Sequence, residues 1–540
     1  MQTNCRVSNQ PFIITDDEIK FYDRISPTFA GQRFQIPTPT LSPVERMRRR
    51  TAHRNENFFY RNQSAISNKP FIALFDTDTP YKIVSQAEWN SEQWDPLDYG
   101  QPFDSNKSFF TQFHELQLRV PKANVVAIGN ENCDYTTGTG YCKNCYLINS
   151  SEYCEDCYYG KLFQNSKNCV DCAYVYDSEL LYECFNVQKG YNCKYVYNSR
   201  DVVDSWFCDN VSGCQNCFLC TNLVNKQYCF MNKQLSQSDY EKTIKEYTDS
   251  VENINKATQE FQKLRLARVY KYANIMKSDD CTGDFITASN KCYDCYDIND
   301  SVDSRYVQVG VEVSDLLDCS NMYIKPQLSY EVLGTIGTYN VHFSLYVFHS
   351  SDIWYSDQIF NSKNCFGCVG LRNKQYCIFN KQYTPEDYEQ TVAQIITHMQ
   401  TTGEWGEYFP IELSPFAYNE SVANEYLPLT KDEAIAHGFR WKEPAVQSDS
   451  NQNDPTVLHC SVTNKPFKLT PQEIKFYQQQ SLPLPTKCPE QRYKERMAIR
   501  NPRTLWSRRC SNCTNQFNTT FSPDRTELVY CEQCYQKELY

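Results

Sequence analysis

The spacing of the cysteines between residues 133 and 229 constrains the fold more than any other feature. All cysteines in this stretch are separated by multiples of three residues. They are Cys133, Cys142, Cys145, Cys154, Cys157, Cys169, Cys172, Cys184, Cys193, Cys208, Cys214, Cys217, Cys220 and Cys229. Chance would produce such a register roughly once in a million trials. Most other positions in the register hold serine or an aliphatic residue, so the pattern predicts a narrow coil with one residue of every three pointing inward.

A second segment repeats the pattern of the first. The Cys217-x-x-Cys220 motif recurs 148 residues later as Cys365-x-x-Cys368. Its register shifts by one residue between Lys325 and Ser329, which we interpret as a bulge or loop. Spacings of 9, 12 and 15 residues favour short rungs, as in a thin parallel β-helix. We therefore predict one Cys-rich solenoid at 131–235 with a helix at 236–278, and a second solenoid at 281–383 with a helix at 384–403.

The two ends of the chain also match each other. Residues 5–22 align with residues 460–477, and the basic stretch ending at Arg54 aligns with the one ending at Arg500. In this register Ser64 and Ser67 stand where Cys510 and Cys513 stand, so the N-terminal copy lacks these ligands. We predict a degenerate zinc-ribbon-like module at 1–100 and a zinc-ribbon module at 459–540. Connectors are expected at 101–130 and 404–458, the latter with a polar linker near residues 447–453.

The predicted fold class is mainly β. It consists of two short-rung parallel β-helix-like solenoids, each ended by an α-helix, flanked by small α+β modules of zinc-ribbon type.

Four cysteines at the C-terminal end have the spacing of a zinc site. Cys510 and Cys513 form one pair, and after seventeen residues Cys531 and Cys534 form another. Two turns can each present two thiolates to a tetrahedral Zn²⁺, and a closed four-cysteine site is structural because no position stays open for substrate. A possible second set is His459, Cys460 and Cys488. That set is short of ligands because Gln491 stands where a fourth cysteine is needed.

The coil cysteines have two interpretations. Pairs such as Cys142 and Cys145 have zinc-ribbon spacing, which would give a string of zinc sites. We favour a core role, in which cysteine packs as a small hydrophobe. The same register accepts valine and leucine, and neither can bind zinc. The metal content per chain separates the two interpretations.

Composition excludes several classes of protein. No apolar run is long enough to span a membrane, and the N-terminus lacks the apolar segment of a signal peptide. We therefore expect a cytoplasmic protein with reduced thiols. The sequence contains neither a GxGxxG nor a GxxxxGK[ST] motif, and none of its seven histidines lies in a nucleophile motif. A catalytic function is accordingly disfavoured.

Two binding functions are compatible with this organisation. The first is a scaffold whose solenoid surfaces bind a partner protein or another copy of the chain. The second is binding of RNA, DNA or the ribosome, because residues 460–509 hold eleven Lys/Arg and three Asp/Glu in a chain of net charge −11. The candidate contacts are Arg492, Lys494, Arg496, Arg500, Arg503, Trp506, Arg508 and Arg509. Alternatively, this basic segment docks on the acidic solenoid of the same chain.

Four motifs resemble a known family. They lie at 498–510, 527–535, 94–100 and 414–420 and include Trp506-x-Arg508-x-Cys510. The chain is similar to Cys-rich, zinc-ribbon-bearing proteins of bacteria with very small genomes, some of which carry a name borrowed from CoA-transferases. The resemblance covers nearly the whole chain and implies this architecture and zinc binding, but no activity. Gln491 and the serines of the N-terminal copy depart from the family pattern.

Overall fold

The computed structural model describes residues 1–311, 314–317, 320–323, 327–443 and 457–539. The chain separates into two compact units, and each combines one end of the chain with one of the internal repeats. Unit 1 contains Met1–Val125 with Ala273–Glu443, and unit 2 contains Val126–Tyr272 with Pro444–Tyr540. The N-terminal segment thus belongs with the second repeat and the C-terminal segment with the first, an arrangement that the sequence did not predict.

The described residues are mainly β-strand, and the large sheets are parallel, as predicted. In unit 2, one eleven-stranded sheet runs through the first repeat. Its strands are Ala127–Ile128, Thr137–Gly140, Tyr146–Glu152, Tyr158–Gln164, Ala173–Tyr176, Glu179–Tyr182, Phe185–Val203, Trp206–Asp209, Ser212–Thr221, Gln227–Phe230 and the antiparallel Lys233–Gln234. We call the parallel part, residues 127–230, ladder 1.

Ladder 1 has a constant register of twelve residues. Thr137 pairs with Asn149, Tyr146 with Tyr158, and the same offset holds to the last parallel pair. Twelve residues contain four triplets, which explains why the cysteine spacings are multiples of three.

The cysteine register of ladder 1 forms one continuous buried cluster. Its thiols and hydroxyls bond the backbone of neighbouring strands. Ser205 Oγ donates to Val203 O at 2.8 Å and accepts from Cys217 N at 3.0 Å. In the same way, Cys172 Sγ accepts from Cys184 N at 3.3 Å. Cysteine and serine are interchangeable here because both satisfy backbone groups that have no access to water.

The residue before each cysteine of ladder 1 has a left-handed backbone. Asn132, Asn144 and Asp156 have φ of 50–53°, and the pattern recurs every three residues. Asn and Asp adopt this conformation more readily than other non-glycine residues. Their side chains also bond along the ladder, as Asn132 Nδ2 does to Asn144 Oδ1 at 2.8 Å.

The second repeat, ladder 2, lies in unit 1 and forms parallel sheets of eight and seven strands, the latter ending in one antiparallel strand. Its strands are Ile275–Met276, Gly283–Thr287, Cys295–Asn299, Gln308–Val311, Ser314–Leu317, Ser320–Tyr323, Gln327–Tyr330, Gly334–Ile336, Tyr339–His342, Tyr346–Phe348, Ser351–Trp354, Ile359–Phe360, Lys363–Phe366, Gln375–Ile378 and the antiparallel Lys381–Gln382.

Ladder 2 contains the shift in register that the sequence indicates. Most of its pairs are twelve residues apart, but Ser314 pairs with Gln327 and Met322 with Thr335, which adds one residue. Lys325, at the predicted shift, lies outside the described residues.

The helix that follows ladder 2 agrees with the prediction, and the one that follows ladder 1 does not. Pro385–Thr402 is one helix, capped by Thr384 and ended by Gly403 with φ of 72°. The predicted helix at 236–278 is instead two helices, Gln237–Thr248 and Val251–Ala267. Ser250 Oγ caps the second of these by accepting from Asn253 N at 3.2 Å, which interrupts the first.

The terminal segments are small α+β modules. In the N-terminal module, the strands are Gln2–Asn4, Pro11–Ile13, Thr28–Phe29, Gln32–Arg33, Tyr60–Gln63, Pro70–Ala73, Ile83–Val84 and Lys122–Ala123, and the helices are Asp16–Arg24, Pro43–Thr51, Gln86–Trp89, Pro96–Tyr99 (3₁₀) and Phe109–Arg119. In the C-terminal module, the strands are Leu458–His459, Pro466–Phe467, Trp506–Arg509, Gln516–Thr519 and Leu528–Tyr530, and the helices are Pro471–Gln479, Pro489–Met497 and Glu532–Leu539. Val269–Lys271, from the segment after ladder 1, adds a strand to that module.

Most of the described residues of the two predicted connectors belong to unit 1, whereas Ala127–Ile128 begins ladder 1 and Leu458 lies in the C-terminal module. Phe109 and Phe113, expected in a connector, lie in a helix and are fully buried against ladder 2. Tyr408 and Phe409 belong to the same cluster. Short helices follow at Ile411–Leu413 and Tyr418–Glu420 (both 3₁₀), Val422–Tyr426 and Lys431–Ala436. The predicted polar linker at 447–453 lies outside the described residues.

The paired roles of cysteine and serine in ladder 1 make a testable prediction. Ser205→Ala removes the acceptor of the buried Cys217 N–H and should lower the free energy of unfolding by about 1–3 kcal/mol. Ser205→Cys keeps a donor and an acceptor and should cost clearly less. Urea denaturation of both variants measures the difference, and equal stability of Ser205→Ala and the parent protein would contradict the explanation.

Candidate metal centre

The predicted four-cysteine site is assembled by a β-hairpin and a helix of the C-terminal module. Strands Trp506–Arg509 and Gln516–Thr519 pair antiparallel, and Cys510 and Cys513 lie in the turn that joins them. Thr514 has φ of 65° and donates its N–H to Cys510 O, which closes the turn. Cys531 follows strand Leu528–Tyr530, and Cys534 lies in the first turn of helix Glu532–Leu539. Each half of the ligand set is therefore held by regular structure.

The ligand atoms are close enough together to share one metal ion. The four sulfur atoms all lie within 4.8 Å of one another, and Cys513 Sγ is 3.6 Å from Cys531 Sγ. Metal–sulfur bonds of about 2.3 Å place tetrahedral thiolates about 3.8 Å apart. Cys510 and Cys534 are buried, while Cys513 is exposed. The site can hold a metal ion at the surface of the module.

The thiols differ in how readily they lose a proton. Burial raises the pKa of Cys510, but backbone N–H groups of Cys531, Cys513 and Asn512 lower it to about 6. Of these, Cys531 N lies 3.3 Å from the sulfur. Hydrogen bonding to the Cys513 thiol, together with burial, raises the pKa of Cys534 to about 12. A bound cation reverses this second effect because it favours every thiolate around it.

The segment that follows ladder 1 supports the site from outside. Strand Val269–Lys271 pairs in parallel with Leu528–Tyr530, directly before Cys531. Thr519 Oγ1 donates to Tyr272 O at 2.6 Å, and Lys271 Nζ lies 2.7 Å from a Glu532 carboxylate oxygen. Within unit 2, the hairpin that carries Cys510 and Cys513 and the strand before Cys531 therefore contact the segment that follows ladder 1.

The second predicted set is brought together only in part. Cys460 and Cys488 lie in one buried cluster with Phe467. His459 is exposed, and its Nδ1 lies 3.4 Å from Asn464 O. Across the described part of the chain, the C-terminal cysteines are the one group of three or more side chains that could hold a metal ion. The cysteines of the ladders are almost all buried, as expected for a core role.

The central arginines of the predicted nucleic-acid surface are buried inside unit 2. Arg492 Nη1 lies 2.5 Å from Asp171 Oδ2, and Arg492 Nη2 lies 3.1 Å from Glu473 Oε1. Arg496 binds Asp171 as well and donates to Tyr159 O at 3.0 Å. Asp171 is fully buried. These arginines dock the C-terminal module on ladder 1, which was the alternative given for the basic segment.

The remaining candidates are placed in three ways. Arg500 lies 4.5 Å from the centre of the Tyr174 ring, and Arg503 reaches the hydroxyl of the same tyrosine. Arg508 donates to carbonyl groups within its own module. Trp506 is half-buried, whereas Lys494 and Arg509 are exposed. Asp171 and Glu473 could not be recognised as partners from the sequence, because a position in a repeat, as for Glu473, does not indicate which side chain it contacts.

Comparisons with known proteins give no identity. No family model matches the chain, and no curated protein matches it either. Among solved structures, a protein of Desulfovibrio desulfuricans G20 described as an acetyltransferase aligns with 48% of this chain, at 10% identity and a TM-score of 0.13. The aligned part spans 62% of that protein's length. Similarity at this level supports no statement about fold or activity.

The buried contacts of Asp171 make a second prediction. Asp171→Asn keeps the side-chain volume but removes the charge that Arg492 and Arg496 share, so it should lower the free energy of unfolding of unit 2 by about 3–5 kcal/mol. As a control, Lys494→Met changes an exposed residue of helix Pro489–Met497, the helix that carries Arg492 and Arg496. This variant should change the free energy of unfolding by less than about 0.5 kcal/mol. Chemical denaturation measures both, and similar values for the two variants would show that the buried pair does not stabilise the docking.

Proposed function

We propose that the protein is a non-enzymatic, zinc-binding scaffold that presents solenoid surfaces to a partner protein or to another copy of itself. In this proposal the two ladders are short-rung parallel β-helix solenoids, each ended by α-helices. The C-terminal module is a zinc ribbon, and its zinc is structural. The observation that carries the metal assignment is the convergence of four sulfur atoms within 4.8 Å.

The ligand set itself supports a structural role. Four thiolates complete the coordination of a tetrahedral zinc ion, so no position is left for water or substrate. A bound ion therefore contributes folding free energy to the module rather than chemistry.

The outer faces of ladder 1 support a binding role. Tyr141 and Tyr153 are more than half exposed and stack on each other, with ring centres 5.2 Å apart and planes 10° apart. Tyr191 is also exposed. Exposed aromatic side chains are typical of contact surfaces between proteins. Other tyrosines of ladder 1, such as Tyr159 and Tyr182, pack on the C-terminal module instead.

The polar groups around the cavity in unit 1 do not favour catalysis. This cavity of about 340 Å³ is lined by Glu404, Glu407 and Tyr408 among others. Glu404 accepts from the backbone N–H groups of Phe109 and Phe110, and Glu407 binds Arg49. These carboxylates are engaged in holding the fold together. Elsewhere in unit 1, burial lowers the pKa of His342 to about 3, which makes it a poor base at neutral pH.

Metal analysis tests the structural zinc. The full-length protein should bind one zinc ion per chain, and Cys510→Ser/Cys513→Ser should bind none and lose thermal stability in unit 2. The matched control Cys365→Ser/Cys368→Ser, in ladder 2, should keep the zinc. Five or more ions per chain, or a control that loses metal as the C-terminal variant does, would overturn the assignment.

Nucleic-acid binding is the second candidate because Lys494 and Arg509 remain exposed on a basic module. If the module binds RNA or DNA, affinity should fall steeply with salt. If so, reversal of the two charges in Lys494→Glu/Arg509→Glu should lower the affinity for RNA or DNA below that of the parent protein at the same salt concentration. Fluorescence anisotropy with a labelled RNA measures both effects. Binding too weak to detect at low salt would exclude this candidate and leave the scaffold proposal in place.

A further inference from the structure

The N-terminal module contains a hairpin with the same backbone as the metal-binding hairpin. Strands Tyr60–Gln63 and Pro70–Ala73 pair antiparallel, and Ser64 follows the first strand as Cys510 does. Ser64 N donates to Lys69 O at 3.0 Å, and the equivalent Cys510 N donates to Asn515 O at 2.8 Å. The turns close in the same way, since Asn68 has φ of 58° and Thr514 has φ of 65°.

A second pair of residues completes the equivalence. Ser85 caps the short helix Gln86–Trp89, and Glu88 lies in its first turn. The positions 64, 67, 85 and 88 have the same spacings as the cysteines at 510, 513, 531 and 534. The alignment of the two chain ends predicts the match of Ser64 and Ser67, whereas the match of Ser85 and Glu88 becomes evident in the structure. The four cysteines are therefore matched by three serines and one glutamate.

Hydrogen bonds join Glu88 to Ser85, and the Ser64 hydroxyl closes its own turn. Glu88 Oε2 accepts from Ser85 N at 3.0 Å and from Ser85 Oγ at 2.7 Å. Ser64 Oγ accepts from Ile66 N at 3.1 Å and from Ser67 N at 3.2 Å, as a thiolate does in a metal-binding turn. Burial raises the pKa of Glu88, but the neighbouring Ser67, Ser85 and Ser64 side chains lower it to about 2.

We propose that Ser64, Ser67, Ser85 and Glu88 form a metal-independent counterpart of the four-cysteine site, in which the Glu88 carboxylate replaces the metal–thiolate centre. The negative charge that four thiolates would place around a cation is here one carboxylate bound by neutral donors. The N-terminal module keeps its fold without an ion, so only the C-terminal module depends on metal. The backbone around the four positions retains the geometry of a metal site, so cysteines at these positions would be sufficient to bind a metal ion.

The first test compares the two modules when metal is removed. Hydrogen exchange of the full-length protein is measured with and without a zinc chelator. Residues 506–534 should lose protection, and residues 60–88 should exchange unchanged. Glu88→Ala should instead raise exchange at 60–88 by at least tenfold, with or without chelator. Chelator-sensitive exchange at 60–88, or unchanged exchange there in Glu88→Ala, would overturn the proposal.

The second test restores the ligands. The variant Ser64→Cys/Ser67→Cys/Ser85→Cys/Glu88→Cys should bind one zinc ion more per chain than its parent. The inference rests on the proposed zinc ribbon of the C-terminal module, with which the N-terminal positions are compared. The same four substitutions in a Cys510→Ser/Cys513→Ser background test the N-terminal site when the natural site is disabled. One ion in that background supports the inference even if the natural site binds none. A variant with native exchange at 60–88 that gains no ion would contradict it, and loss of native exchange throughout unit 1 would contradict the claim that the backbone fits.

Discussion

The structure depends on the requirement that every third side chain in the ladders be buried while its polar group bonds nearby backbone atoms. Strand pairs twelve residues apart bring these side chains into one buried cluster, in which most members are cysteines or aliphatic residues. Cysteine and serine meet this requirement because their thiol and hydroxyl groups also bond nearby carbonyl and N–H groups, as Cys172 and Ser205 do. Valine and isoleucine fill the same space where no such bond is needed. The residue before each of these positions has a left-handed backbone, and Asn and Asp, which adopt this conformation more readily than other non-glycine residues, supply about half of them in ladder 1.

The modules at the two ends complete the two units by different means. In unit 2, Asp171 of ladder 1 receives two arginines of the C-terminal module in a fully buried network. In unit 1, Arg49 of the N-terminal module binds Glu331 and Glu407. The basic segments that suggest nucleic-acid binding in the sequence thus hold modules to the ladders. In the C-terminal module a hairpin and the start of a helix present four thiols, whereas the equivalent positions of the N-terminal module hold three serines and the Glu88 carboxylate, so the two units would respond differently to loss of metal.

Much of this organisation could be predicted from the sequence, and the limits have physical causes. The cysteine register revealed the triplets, the parallel strands and the added residue in ladder 2 because burial restricts the choice of side chain at one residue in three. The CxxC pairs revealed the site at Cys510 because metal ligands need fixed spacing. The left-handed positions were missed, although Asn and Asp recur directly before the cysteines. Two features could not be predicted from the sequence. Asp171 and Arg492 pair although they are more than a hundred positions apart, and Tyr408 is buried in a segment with no periodic pattern of apolar residues.

Thiol labelling of the native protein tests most directly whether the cysteines of the ladders are core and those at the C-terminus are ligands. The protein is alkylated before and after chelation, and each cysteine is scored by mass spectrometry. The account predicts that chelation makes Cys510, Cys513, Cys531 and Cys534 reactive, while buried cysteines such as Cys172 and Cys193 stay unlabelled until denaturant is added. Labelling of the ladder cysteines by chelation alone, at the same rate as the C-terminal four, would contradict it.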